Sequence, residues 1–343
     1  MNILFRFGEY RNLTFAFPTY QQAQFFYPSY FQSTYVEGFS KDSKKTFHIM
    51  CHHLRFQLSE VEKVMDNHTF YFTILRNPVS LMESSFAYYT AMDIFSKARS
   101  LEDFINNSSY FYKSTSESSH YAKNLMVYDL GFDHNGPESA KHFKIMQQTV
   151  ETMFDLVLIS EYFDESLVLL KDALCWTFDD VLSFPLNSRK NTTKVVLSSE
   201  TQEKIKNWNQ YDWQLYVYFN RSFWNRVETF GRQKMQQEVE ELRTRRDQMS
   251  QVCLQDEVDP DQMRDKSLTP FQAGRARIVG YNLNPNLNKT YQHLCQRLIT
   301  PELQFSELLY RKQMNKTLLS RNNNPHKNRK TNFKLSQNRL KKI

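Results

Sequence analysis

The chain has 343 residues, a formal net charge of +7 and 40% hydrophobic residues. No run of about 18 apolar residues occurs, so no segment is expected to cross a membrane as a helix; Arg6 and Glu9 break the first apolar run too early for a signal peptide. Seven glycines leave little from which to build a glycine-rich nucleotide loop.

The positive charge is unevenly spread. Residues 321–343 carry eight basic and no acidic side chains, and taking those eight from the 44 Lys and Arg leaves 36 against 37 Asp and Glu. A nucleic-acid reading therefore rests on an Asn-rich tail whose composition is that of a solvated, disordered extension, with contact to an anionic surface as the alternative. Eight Asn-x-Ser/Thr triplets, at Asn12, Asn67, Asn106, Asn107, Asn191, Asn220, Asn288 and Asn315, hint at a secretory lumen. Cys51, Cys175, Cys253 and Cys295 are compatible with one or two disulfides that spacing does not assign.

In chain order, Ile3, Leu4 and Phe7 have helical spacing, with Asn2 the only available cap. Thr46 to Cys51 alternates, placing Phe47, Ile49 and Cys51 on one face of an expected strand. Thr69 to Leu75 is a second apolar run; Asn77-Pro78 then opens a helix, because Asn caps and Pro is tolerated at the first helical position. A third run, Phe154 to Ile159, leads into a helix from about Asp164 to Leu174. Strands alternating with helices imply an α/β fold with a central parallel sheet. Residues 200–250 read as helical, with Trp208, Trp213, Tyr216, Phe219 and Phe223 as core and Met235, Val239, Leu242 and Met249 as one amphipathic face; residues 253–290 read as loop-rich.

Common catalytic signatures are absent. Gly131 and Gly136 have the separation of a phosphate-binding loop, but Pro137-Glu138 follow where Lys-Ser/Thr is required. His52 and His53 are adjacent and lack the spacing of a zinc pair, so no metal is implied. What stands out is Leu75-Arg76-Asn77-Pro78 followed by Glu83-Ser84-Ser85-Phe86. Arg76 ends a strand, where open α/β sheets bind ligands, and its guanidinium can grip a phosphate bidentately. Ser84, seven residues after Asn77, lies nearly two turns along the same helix face. A surface arginine beside a helix cap is the bland alternative.

Five stretches, "NILFRFGEYRNLTFAFP", "FTILRNPVSLMESSFAYY", "DLVLISEYFDESLVLLKDALCW", "FNRSFWNRVETFG" and "GYNLNPNLNKTYQHLCQRLITPELQ", resemble the galactose-3-O-sulfotransferase family from residue 2 to about 310. The likeness is greater to members acting on β-galactosides of glycoprotein glycans than to the galactosylceramide enzyme. The resemblance implies a P-loop-like sulfotransferase fold over residues 1–320, followed by the basic tail at 321–343. It also implies 3′-phosphoadenosine 5′-phosphosulfate (PAPS) as sulfate donor, a β-galactoside acceptor, and a Golgi lumenal setting with a membrane anchor in the full-length form. By that resemblance Arg76 and Ser84 bind the donor's 3′-phosphate, and Arg189 and Lys190 are further candidates for the nucleotide. His53 falls where related sulfotransferases place a general base, with His52 as its stand-in; a neutral imidazole suits proton removal near neutral pH. Glu83 and Glu161 are candidates for local hydrogen bonding.

Family members place a Lys-Thr loop just before the first helix to hold the 5′-phosphosulfate at a helix N-terminus. This chain opens inside that helix, and Lys44 and Lys45 have no sequence-based claim to replace the missing lysine. The expectation is therefore a sulfotransferase chain with impaired turnover. A short form that binds nucleotide or glycan without catalysis is the alternative.

Overall fold

The structure, a computed structural model, describes residues 1–40, 46–137 and 139–322, with side chains described through residue 316. Lys44, Lys45, Glu138 and residues 323–343 of the basic tail lie outside the described residues.

Chain order runs α1 (Asn2–Tyr10), β1 (Phe72–Leu75), α2 (Pro78–Tyr88), α3 (Ala140–Met153), β2 (Leu156–Ile159) and α4 (Phe163–Ala173). It continues with α5 (Ser199–Trp208), α6 (Gln210–Phe230), α7 (Arg232–Cys253), β3 (Leu254–Val258), β4 (Gly280–Leu283), α8 (Lys289–Ile299) and α9 (Glu302–Asn322), with short helical turns between. The result is a mixed α/β fold dominated by helices.

β1 and β2 pair in parallel, Phe72 opposite Leu156 and Leu75 opposite Ile159. Leu-Val-Leu-Ile in β2 is buried throughout, as parallel strands covered on both faces require. β1 is only partly covered, and its Ile74 is 43% exposed. α6 lies against β2. Its Tyr211, Leu215, Phe219 and Phe223 recur every fourth residue, so one helical face enters the core. Met235, Val239 and Leu242 of α7 are buried as expected. Trp208 and Trp213 are only half-buried; the indole N–H of Trp208 reaches the Ala122 carbonyl at 2.7 Å.

The expected central sheet is smaller than the pattern suggested. Thr46–Cys51 is not a strand of it. Phe47 and Ile49 are buried on one face, but their backbones make isolated parallel bridges, Phe47 to Met65 and Ile49 to Phe15. His53 and Arg55 continue the same way to Gln24 and Tyr30. Each contact has a different partner segment, so alternation survives without a continuous ladder. α1 packs close to this region: a Cβ on Gly8 would enter the space of the Phe15 ring and Ile49. Asn2 does not cap α1; its amide donates to the carbonyls of Arg297 (2.9 Å) and Thr300 (3.0 Å), tying α1 to the end of α8.

Residues 253–290 also differ from expectation, because β3 and β4 form an antiparallel pair there. Leu-Gln-Asp-Glu-Val exposes its three central residues and has no apolar alternation, so it carries no strand pattern. A disulfide between Cys253 and Cys295 closes the region over a separation of 42 residues, while Cys51 and Cys175 are free. Replacing Cys253 by serine is expected to cost about 2–5 kcal/mol, read as a lower urea midpoint; an unchanged midpoint would show that the bridge does not constrain the unfolded chain.

Candidate active site

The site begins where β1 ends. Asn77 caps α2 by accepting from the Val79 N–H at 2.9 Å, and Pro78 occupies the first helical position. The Asn77 N–H donates to Glu161 Oε1 at 3.0 Å. Glu161 lies in the turn Ser160–Tyr162 that follows β2, so this bond joins the segments leaving the two parallel strands. Asp212 of α6 is buried and accepts from the N–H groups of Met126 (3.1 Å) and Val127 (2.9 Å), anchoring the short helix Leu125–Asp129 nearby. The Arg76 N–H in turn lies 3.3 Å from the Met126 sulfur.

The Arg76 guanidinium is half-buried and donates through Nε to Ser80 Oγ at 3.2 Å. Among the described residues, its two terminal nitrogens have no hydrogen-bond partner. Burial holds its pKa below the ordinary value, with Arg189 adding to the shift and Glu161 and Glu83 opposing it. Ser84 is half-buried on α2, and its hydroxyl likewise makes no hydrogen bond among the described residues.

Glu83, beside Ser84, binds the 188–197 segment to α2. One oxygen pairs with Arg189 Nη2 and the other accepts from the Val195 N–H at 3.1 Å. The Arg189 side chain is only 8% exposed, and its Nη1 is buried without a partner among the described residues. Such an unsatisfied charged donor is costly unless a ligand completes it. Lys190 is placed differently: its ammonium pairs with Asp259 at 2.8 Å, a carboxylate that also contacts Arg277. The structure thus brings Arg76, Glu83 and Arg189 together, places Ser84 next to Glu83 on α2, and gives Lys190 a partner elsewhere.

A second cluster surrounds His53. Its side chain is 58% exposed, and Nε2 lies 3.2 Å from Glu302 Oε1 at the start of α9. The hydrogen bond to Glu302 raises the imidazole pKa above its ordinary value, burial opposing and Asp129 assisting. Burial pushes the Glu302 carboxyl up, but His53 outweighs it and holds the group below the usual range. Asp129 accepts from Tyr27 Oη at 2.7 Å, and burial pushes its carboxyl up to about 7. α1 begins in the same place, through the Asn2 bond to Thr300. His52, by contrast, is 4% exposed, encased by Phe5, Phe17 and Phe25, and contacts Ser306 Oγ at 2.7 Å. Burial lowers its pKa to about 4, so it is a neutral core histidine.

α2 connects the two clusters. Arg76 precedes its first turn, while Tyr88 at its far end feels the charge of Glu302. Eleven residues at 1.5 Å each put roughly 15 Å between them. Glu302 carried no sequence signal, and neither did the pairing of Glu83 with Arg189, because each contact is made to a residue distant in the chain. No group of three or more His, Cys, Asp or Glu that could hold a metal occurs among the described residues.

A sequence model described as galactose-3-O-sulfotransferase matches residues 1–313. The chain is 45% identical over 319 residues to galactose-3-O-sulfotransferase 2 of Sus scrofa, covering 91% of this chain and 80% of the relative. Identity to galactose-3-O-sulfotransferase 2 of Homo sapiens is also 45%, over 316 residues, covering 90% and 79%. Galactosylceramide sulfotransferase of Homo sapiens is 38% identical over 312 residues, covering 89% and 73%, the order of likeness expected above. No solved structure matches. Both clusters fall inside the matched region, and the chain belongs to the galactose-3-O-sulfotransferase family, enzymes that transfer sulfate to galactose.

Proposed function

We propose that the chain transfers sulfate from PAPS to the 3-hydroxyl of a terminal β-galactose, within a P-loop-like sulfotransferase fold. The observation that carries this reading is a pair of unsatisfied arginines at one end of α2 and a carboxylate-oriented histidine at the other. The residues present fit an anionic nucleotide. Arg76 offers free terminal nitrogens, Arg189 a buried unpartnered Nη1 and Ser84 a free hydroxyl, all suited to one phosphate. PAPS, when bound, supplies the sulfuryl group. With Nε2–H donating to Glu302, His53 keeps the lone pair on Nδ1 for the galactose hydroxyl proton. Galactose O3 then forms its bond to sulfur as the bond between sulfur and the donor phosphate breaks, and the new imidazolium is stabilised by Glu302. Glu83 holds Arg189 in place, and Glu161 fixes the β1–α2 turn that presents Arg76.

The acceptors in this reading are β-galactosides of glycoprotein or glycolipid glycans, and the setting is the Golgi lumen. Support for the setting comes from the disulfide and from seven exposed sequons, Asn12, Asn67, Asn106, Asn107, Asn191, Asn288 and Asn315. Asn220 is the exception, half-buried in α6 with its amide on Tyr216 Oη at 3.3 Å. No helix among the described residues is long and apolar enough to cross a membrane. The test is transfer of radiolabelled sulfate from PAPS to Galβ1-4GlcNAc, with the product position assigned by NMR. Label on galactose O3 is expected; label at another hydroxyl, or none, would overturn the assignment.

A further inference from the structure

A cavity of about 310 Å³ lies between residues 17–23 and the first turns of α9. Both of its walls run into the His53 cluster. On one side, Leu303 and Ser306 follow Glu302 along α9. On the other, Gln22 and Ala23 precede Gln24, which bridges to His53, and the Phe25 N–H donates to the His53 carbonyl at 2.9 Å.

Its lining is neutral and mixed. Phe17 and Tyr310 meet edge to face at 5.6 Å, while the side-chain amides of Gln21 and Gln22 make no hydrogen bond among the described residues. Among the described residues the one charged lining group, Glu307, is already paired with Arg311, and no cation lines the cavity. An uncharged polyol has both side-chain amides and an aromatic edge to meet. Tyr20 and Gln21 adopt left-handed backbone angles, φ 58° and 57°, a conformation uncommon for non-glycine residues. The volume is at the small end for ligand pockets and suits one sugar ring rather than a lipid chain.

We propose that this cavity is the acceptor subsite for the neutral sugar that follows galactose on its reducing side. The inference rests on the reading of His53 as the group facing galactose O3. With that hydroxyl at His53, the next residue of the glycan extends into the adjoining space. Contacts to the second sugar would make the chain prefer disaccharide acceptors to a simple galactoside.

The test measures binding to PAP-saturated protein by NMR titration, using Galβ1-4GlcNAc and methyl β-galactoside. The expected wild-type preference for the disaccharide is about tenfold, the worth of one or two net hydrogen bonds. In a Gln21→Ala/Gln22→Ala variant, and in Ala23→Phe, which fills the space, that preference should vanish. Affinity for methyl β-galactoside and for PAP should stay unchanged in both. Persistence of the preference in both variants, equal weakening of both sugars, or no preference in the wild type would overturn the subsite. Protein that binds PAP but neither sugar also overturns it. Protein that fails to bind PAP contradicts the reading of the Arg76 cluster instead, and the sugar titrations repeated without PAP then decide the subsite separately.

Discussion

Replacing Arg76 by alanine is expected to weaken PAP binding by roughly 100-fold, about 3 kcal/mol, while leaving the fold intact. The magnitude follows from removing two charge-assisted hydrogen bonds in a half-buried setting. The direction follows from the site: with Arg76 gone, Arg189, already paired with Glu83, is left to offset the repulsion of a phosphate by Glu83 and Glu161. The only hydrogen bond the guanidinium makes among the described residues is to Ser80, so the melting temperature without ligand should barely move. The stabilisation that PAP confers at saturating concentration should shrink, because ligand-induced stabilisation scales with the logarithm of concentration over Kd. Arg76→Lys should restore charge but not the fork, giving intermediate affinity. Calorimetric titration with PAP decides the matter; unchanged affinity in Arg76→Ala would place the nucleotide elsewhere.

The second large effect concerns His53. His53→Ala is expected to lower kcat by about 100- to 10,000-fold, the usual worth of a general base, with PAP affinity unchanged. The pH dependence carries a sign. Glu302 raises the His53 pKa, and only the neutral imidazole accepts a proton, so activity rises with pH through that raised value. Glu302→Gln removes the charge that stabilises imidazolium; the acid limb of the pH–rate profile should move to lower pH while kcat falls through lost orientation. An acid limb that stays in place would detach Glu302 from the titration. His52→Ala should instead lower stability with little change in the limb, since His52 is buried and neutral.

Much of the first cluster was legible in the sequence because it is local. A Leu75-Arg76-Asn77-Pro78 run states in four residues that a strand ends, a cap follows and a helix starts, and Asn77 caps Val79 as read. The buried run of β2, the helix after it and the four-residue periodicity of α6 are of the same kind. Hydrophobic period and capping chemistry act over a few residues, so a few residues suffice to read them.

Tertiary structure alone decided the rest. His52 and His53 are adjacent and identical in type, and only packing makes one a core ring and the other an exposed ring beside Glu302. Packing also brings Glu302 to His53, and Glu83 to Arg189 across 106 residues. The Cys253–Cys295 pair emerged from four cysteines whose spacing was silent. β3 was invisible because ladder bonds to β4, rather than burial of an apolar face, hold its charged residues extended. A local pattern records which face a segment buries. Which distant side chain meets it there depends on how every helix between them packs, and that is a property of the whole fold.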